Sequence, residues 1–204
     1  MSAALDSQAA TRARIADAAE GLFRRLGYQK TAVADIAREC GMSPANVYRF
    51  FASKSAINEA IARRLLDGLV AEVEAITAGN GSAESRLRRA ICTLHQRDIT
   101  LFFQEKRLHD MVTAAMTEHW GVIERFIEAI LVVWTRLIAE GMARGEFRPM
   151  DPAHAAFMIK QCTMLWSHPI LIAECLDHGI EPEKLLADLN AALDLLMAGM
   201  RLVK

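Results

Sequence analysis

Proline is scarce in this 204-residue chain, at five, and runs of alternating apolar and polar residues are missing. With abundant Ala, Leu, Met, Glu and Arg, that leaves helices throughout and no strand. The four cysteines, Cys40, Cys92, Cys162 and Cys175, show no framework spacing, so no disulfide scaffold is implied and reduced thiols fit a cytoplasmic protein. The opening MSAALDSQAA has neither the basic start nor the apolar stretch of a signal peptide. Apolar spans such as 126–139 are interrupted by Glu128 and Arg136, short of the roughly 20 clean residues that cross a bilayer. No membrane partner is expected. No nucleophile motif, no His-Glu-x-x-His helix and no nucleotide loop is present. Gly79-Asn80-Gly81 lacks the Lys-Ser/Thr pair of a phosphate cradle and reads as a plain turn. Nothing points to an enzyme or to a cofactor.

What is there is 52% apolar residues, enough for a real core in one domain or two small ones. The net charge of −1 conceals an asymmetry: residues 1–64 hold 10 Lys/Arg against 6 Asp/Glu, and the remainder 14 against 19. The front therefore carries +4 and the back −5. A positive front suits a polyanion, and +4 is modest enough that gripping DNA calls for two such faces pooled in a dimer.

The chain is organised around TAVADIARECGMSPANVYRFFASK, Thr31 to Lys54. Val33, Ile36, Ala37 and Cys40 recur at helical spacing, Gly41 stops that helix, and Ser43-Pro44 restarts one with a capping hydroxyl and a first-turn proline. Two short helices joined by a glycine turn form a helix-turn-helix. On a wheel centred on Val47, Pro44, Phe50 and Phe51 fall inward, Ala45 and Arg49 point away, and Asn46 and Tyr48 flank them. That outward face is either a solvated surface or a DNA-reading one. In the second case Arg49 and Asn46 hydrogen-bond base edges and Ala45 permits close approach, while Thr31, Ser43, Tyr48 and Lys54 serve phosphates. Upstream, Ile15, Ala19, Leu22, Phe23 and Leu26 make an apolar stripe ended by Gly27, completing a three-helix head. Arg12 and Arg14 on that helix are within reach of phosphates, and residues 1–10 read as a loose arm.

The stretch resembles the DNA-binding segment of the TetR family of bacterial transcriptional regulators, through Thr31, Ile36, Ala37, Gly41, Val47, Tyr48, Phe50, Phe51 and Lys54. It departs from the pattern at Ala32 and Ala45. The resemblance implies an all-α protein: a helix-turn-helix DNA-binding domain over 1–52, and an effector-binding and dimerisation bundle over 53–204 joined to it by the helix from Ser53. It also implies a homodimeric repressor released from a palindromic operator by a small molecule. A helical carrier or protein-interaction module with a merely structural tri-helix is the other reading.

Beyond residue 53 a helix of about 25 residues runs toward Ile76, near 35 Å long. Further helices follow over the apolar stripes from Leu87, Met111, Trp120, Phe157 and Leu185, with His168-Pro169 interrupting one. Core and ligand cavity look alike in such a body. The resemblance implies that a subset of side chains lines an effector pocket, with His95, Phe102, Met116, Trp120, Phe126, Trp134, Gln161 and His168 the candidates. The last two helices carry a broad apolar face, either intrachain core or a dimer seam, with Trp166, Leu189, Leu193 and Leu196 its candidate members. Cys92 with His95, and Cys175 with His178, have ligand-competent spacing for zinc. No clustered carboxylate or Cys-x-x-Cys supports them, and no metal is expected.

Overall fold

Helix ends in this chain are set by short-range chemistry, and a computed structural model shows where each falls. It describes residues 2–104, 106–118 and 120–202, and the side chains of 2–6, 102–104, 106, 108, 109 and 120 lie outside the described set. Among the described residues there are ten α-helices, one 3-10 turn and no strand, only an isolated antiparallel bridge between Phe147 and Arg201. The chain forms two compact units, dividing after Leu66 within a continuous helix rather than at residue 52.

The first unit runs to Leu66 and takes in Gln104–Ile123. Helix α1 spans Ser2–Leu26, so the arm expected to be loose is helical from Ser2. Nothing in that alanine-rich stretch breaks a helix, and the Thr11 hydroxyl donates back to the Ser7 carbonyl at 2.9 Å. Gly27 ends it at φ 92°, in the left-handed region that glycine alone enters without strain. Helix α2 (Val33–Glu39) and helix α3 (Pro44–Tyr48) flank Gly41 at φ 63°. Ser43 caps α3, its Oγ accepting the Asn46 N–H at 3.2 Å. Helix α4 (Lys54–Ala78) starts behind Ser53, whose Oγ accepts the Ala56 N–H at 3.0 Å.

Helix α6 (Lys106–Glu118) belongs to this first unit, packing on α1. Its inner face, Met111, Val112, Ala115 and Met116, is buried with Ile15, Phe23, Ile57 and Ile61. Asn58 on α4 is fully buried and donates Nδ2 to the Met111 carbonyl at 3.3 Å, a polar tie in an apolar setting that fixes the register of α4 against α6.

The second unit holds Asp67–Phe103 and Glu124–Lys204. Its core joins the end of α4 to helix α5 (Ala83–Gln104), helix α7 (Trp120–Ala143), helix α8 (Pro152–Cys162) and helix α10 (Pro182–Met200), around Leu87, Ile91, Trp134, Ile138, Leu189 and Leu193. Helix α9 (Pro169–Asp177) follows the 3-10 turn Met164–Trp166, with Pro169 at its first position, the interruption expected there. Arg86, 4% exposed, bonds the Thr77 carbonyl at 2.7 Å and the Glu140 carboxylate at 2.5 Å, tying α4, α5 and α7 together. No helix among the described residues is long and apolar enough to cross a membrane.

Gly141 on α7 has no room for a side chain: a Cβ there would lie 2.4 Å from Phe147 Cδ2 and 2.8 Å from Ala83 Cβ. Gly141→Ala is expected to lower unfolding free energy by about 1–3 kcal/mol through overpacking, read as a lower urea midpoint. An unchanged midpoint would show that this contact relaxes freely.

Candidate nucleic-acid interface

A five-residue helix has little stability of its own, so α3 is held by what surrounds it. Val47 is fully buried and Phe51 nearly so, while Phe50 is half-buried. Pro44, expected inward, is exposed: at the first position of so short a helix it lies beyond what the neighbouring elements cover. Arg12 on α1 closes the other end, donating Nη1 to the Phe50 carbonyl with its guanidinium 4.2 Å from the Phe51 ring centroid. The carbonyl end of α3 thereby gains a cation, the favoured charge there.

The side chains left facing outward are Ala45, Tyr48 and Arg49, with Tyr48 51% exposed. Asn46 is half-buried, its Nδ2 4.0 Å from Met42 Sδ, a weak contact easily exchanged for a base edge. Ser43 is exposed, its oxygen accepting the cap bond and its hydroxyl proton still available.

Two of the expected phosphate residues are engaged otherwise. Thr31 is 2% exposed and donates its hydroxyl to the Gly27 carbonyl at 2.8 Å, so it closes the α1 terminus and offers nothing to a phosphate in this conformation. Lys54 is half-buried, its ammonium donating to the Tyr28 carbonyl at 2.8 Å and the Gln29 carbonyl at 3.4 Å, and lying 4.4 Å from the Tyr28 ring centroid. A phosphate here would share a cation already braced against the corner before α2. The Tyr28 phenol is pushed above its ordinary value, first by burial and then by the Glu118 carboxylate that accepts its hydroxyl.

Charge pairing sorts the cations of residues 1–64. Arg24, Arg25, Arg38, Arg63 and Arg64 each face a carboxylate. Arg12, Arg14, Lys30, Arg49 and Lys54 make no ion pair among the described residues, so the uncompensated positive charge includes the two residues bracing α3 and its surroundings. Composition alone does not distinguish the two groups, because the pairing depends on which helices meet.

In the second unit the candidate effector residues are only partly assembled. His95 is 1% and Trp134 2% exposed, Phe126 packs on the core, and His168 is half-buried. Gln161 lies exposed, accepting from Lys160, so it is a surface residue. Met116 is buried in the first unit, since α6 packs on α1, and so leaves this set. The side chains of Phe102 and Trp120 lie outside the described residues. A cleft of about 510 Å³ is lined by Glu72, Thr93, His95, Gln96, Arg97, Ile99, Thr100, Pro182, Glu183 and Leu186, with the Arg97–Glu72 ion pair at 2.7 Å among its walls.

Among the described residues, four buried polar atoms of this unit have no hydrogen-bond partner: His95 Nε2, Trp134 Nε1, Trp166 Nε1 and His168 Nδ1. His95 Nδ1 lies 3.0 Å from the Trp166 carbonyl, which only accepts, so the proton sits on Nδ1 and Nε2 presents a bare lone pair. Asp98, one turn along α5 from His95, is pushed up to about 8 by burial. Trp166 packs on the core and belongs with these groups.

The seam residues change for a definite reason. Leu189 and Leu193 are fully buried within their own chain, on the α10 face with Leu185, Met197 and Met200, so they are core. Leu196 is half-buried. Among the described residues of this unit, the large apolar side chains left exposed include Phe157 and Met158 on α8, Met164 and Leu165 in the 3-10 turn, Val132 on α7 and Leu195 on α10, the last 78% exposed.

Comparison with known proteins gives two family models. One, for the tetracyclin repressor-like C-terminal domain, matches residues 83–184; the other, for bacterial regulatory proteins of the tetR family, matches 15–61. The chain is 28% identical over 147 residues to the uncharacterized HTH-type transcriptional regulator YfiR of Bacillus subtilis, covering 69% of each protein. A TetR-family transcriptional regulator from Pectobacterium atrosepticum superposes with a TM-score of 0.79 at 20% identity, 97% of both chains being covered. The regulator FadR of Bacillus subtilis, solved with stearoyl-CoA, superposes at 0.64 and 19% identity, over 91% of this chain and 97% of that one. These two superpositions establish the fold.

Burial holds His95 below the ordinary imidazole value, outweighing its bond to Trp166, and holds His168 below it too, with Lys160 adding to the effect. The unfolded chain therefore takes up protons first as pH falls. The stability contributed by the neutral rings is present above about pH 6.5 and lost below it. Asp98 works the opposite way, its contribution fading as pH rises toward 8. The difference between wild type and His95→Gln isolates the histidine: the loss of urea stability from about pH 7.5 to about pH 5.5 is expected to be smaller in the variant. Parallel profiles would show that His95 does not titrate between the two states.

Proposed function

The chain belongs to the TetR family of bacterial transcriptional regulators and is a helix-turn-helix DNA-binding protein, and on that premise we propose that it acts as a two-fold dimer repressing transcription from a palindromic operator. The observation that carries this reading is the exposed Ala45, Tyr48 and Arg49 face of α3, set among cations that have no carboxylate partner among the described residues. Arg49 and Asn46 read base edges, Ala45 lets the backbone approach, and Ser43 and Tyr48 contact phosphates with Arg14 and Lys30. One face holds too few charges for firm binding. Two heads in successive major grooves about 34 Å apart supply the rest.

The dimer forms through α8 and α10. Phe157, Met158 and Leu195 are the side chains a second copy would cover, in place of the interior leucines. Large apolar side chains left at 43–78% exposure on two helices of one unit support a protein interface.

The effector is a small molecule held in the second unit near His95, Trp134, Trp166 and His168. His95 Nε2 needs a donor and the indole N–H groups need acceptors, so the fitting compound is uncharged and largely apolar, with a hydroxyl or amide beside a carbonyl oxygen. Its binding favours a head arrangement that no longer fits both half-sites. A hundredfold loss of operator affinity requires about 2.7 kcal/mol of differential binding.

Selection of bound fragments from a random-sequence DNA pool by the purified full-length chain tests this reading. An inverted repeat with half-sites about one turn apart is the expected product; enrichment of no sequence would contradict it. In the same assay Arg49→Ala is expected to cost about 1–3 kcal/mol and to relax preference at one base pair of each half-site, and an unaltered preference would remove Arg49 from base reading. Leu195→Lys is expected to leave the fold intact and dissociate the dimer in sedimentation, whereas Leu189→Ala lowers stability by about 2–5 kcal/mol. A Leu195→Lys chain that stays dimeric would place the seam elsewhere.

A further inference from the structure

Both ends of the helix-turn-helix are held by one residue from outside it. Glu118, at the end of α6, accepts the Tyr28 hydroxyl at 3.0 Å and the Ser55 hydroxyl at 2.6 Å. Tyr28 stands in the corner just before α2, and Ser55 in the first turn of α4 just after α3, so both helices of the motif lie between these two hydroxyls. Lys54 closes the same loop a second time through the Tyr28 carbonyl and ring. Tyr28 is 5% exposed and its ring meets Phe23 edge-on at 5.2 Å, so the corner is packed as well as hydrogen-bonded. A carboxylate at the carboxyl end of a helix is opposed by the helix dipole. The two hydroxyl donors offset that cost, and charge-assisted bonds of this kind are stronger than neutral ones.

We propose that Glu118 is a positioning residue for operator binding, setting the pose of the helix-turn-helix by gripping its two ends without touching DNA. The proposal rests on the regulator reading above and deepens it. It makes the end of α6, a segment far from the motif in sequence, a point from which operator affinity is adjusted.

The test has a DNA-free arm and a DNA arm. Tyr28 and Tyr48 are the two tyrosines of the chain, so in the full-length Tyr48→Phe protein the ultraviolet titration of phenol reports Tyr28 alone. Adding Glu118→Gln to that protein is expected to lower the pH at which Tyr28 ionises, because the charge that opposes phenolate formation is gone. In the DNA arm, Glu118→Ala and Tyr28→Phe, each in the otherwise natural chain, are expected to bind the selected inverted repeat about five- to tenfold more weakly. The double variant should be no weaker than the weaker single one, because the two substitutions remove one shared interaction. The slope of affinity against salt should not change, since no phosphate contact is lost. Glu118→Gln, which keeps shape and one acceptor oxygen, serves in this arm if Glu118→Ala does not fold. Identical Tyr28 titration with and without Glu118, fully additive losses, a flattened salt slope, or variants that bind like wild type would each overturn the proposal. A wild-type chain that selects no DNA would remove the regulator reading and this role with it, whereas wild-type binding that the Glu118 variants retain would remove the role alone.

Discussion

Helix α3 is one and a half turns long, and nothing intrinsic to it keeps it formed. Its function requires that a fixed face be shown, so the surrounding structure supplies what the helix lacks. Ser43 accepts the Asn46 N–H in its first turn, Arg12 donates to the Phe50 carbonyl just past its last turn, and Val47 and Phe51 anchor it from beneath. Each support lies on a different part of the chain. The head is therefore a small, mutually dependent assembly in which the apolar core fixes position and a few polar contacts fix orientation.

That dependence explains why two cations of the head are engaged with its own backbone. Of those nearest α3, Arg12 and Lys54 donate to backbone carbonyls yet keep their charge. Carbonyl partners orient a cation without neutralising it, whereas carboxylate partners do both. The head thus keeps a positive field while its most constrained side chains brace the fold, and long-range attraction to a polyanion needs the field more than direct contact.

Local chemistry was legible in the sequence and long-range pairing was not. Gly27, Gly41 and Gly145 fall at helix ends with positive φ, and Pro44, Pro152, Pro169 and Pro182 open helices, as their backbone preferences require. The all-helical class and the helix-turn-helix follow from those signals and from apolar spacing. What escaped depends on partners 26 to 90 residues away: Lys54 on Tyr28, Arg12 on Phe50, Tyr28 on Glu118. Helix α10 shows another limit. Its leucines leave two apolar faces, and periodicity alone does not say which one the chain buries itself: core and seam stay open for Leu189 and Leu193, which are buried, while Leu195 on the other face is exposed. Met116 shows a similar limit: its helical stripe is evident from the sequence, but the unit that receives it is not.

The central claim is that two weakly charged heads, each presenting α3, act together on one duplex. The most direct measurement is the affinity of the full-length chain for the selected inverted repeat, and for the same duplex with one half scrambled, across a series of salt concentrations. Two engaged heads, each neutralising about three or four phosphates, predict a slope of log affinity against log salt of about −5 to −7 for the intact repeat, halved for the scrambled one. Equal slopes and equal affinities for the two duplexes would contradict the account, since they would mean that a single head, or none, recognises the site.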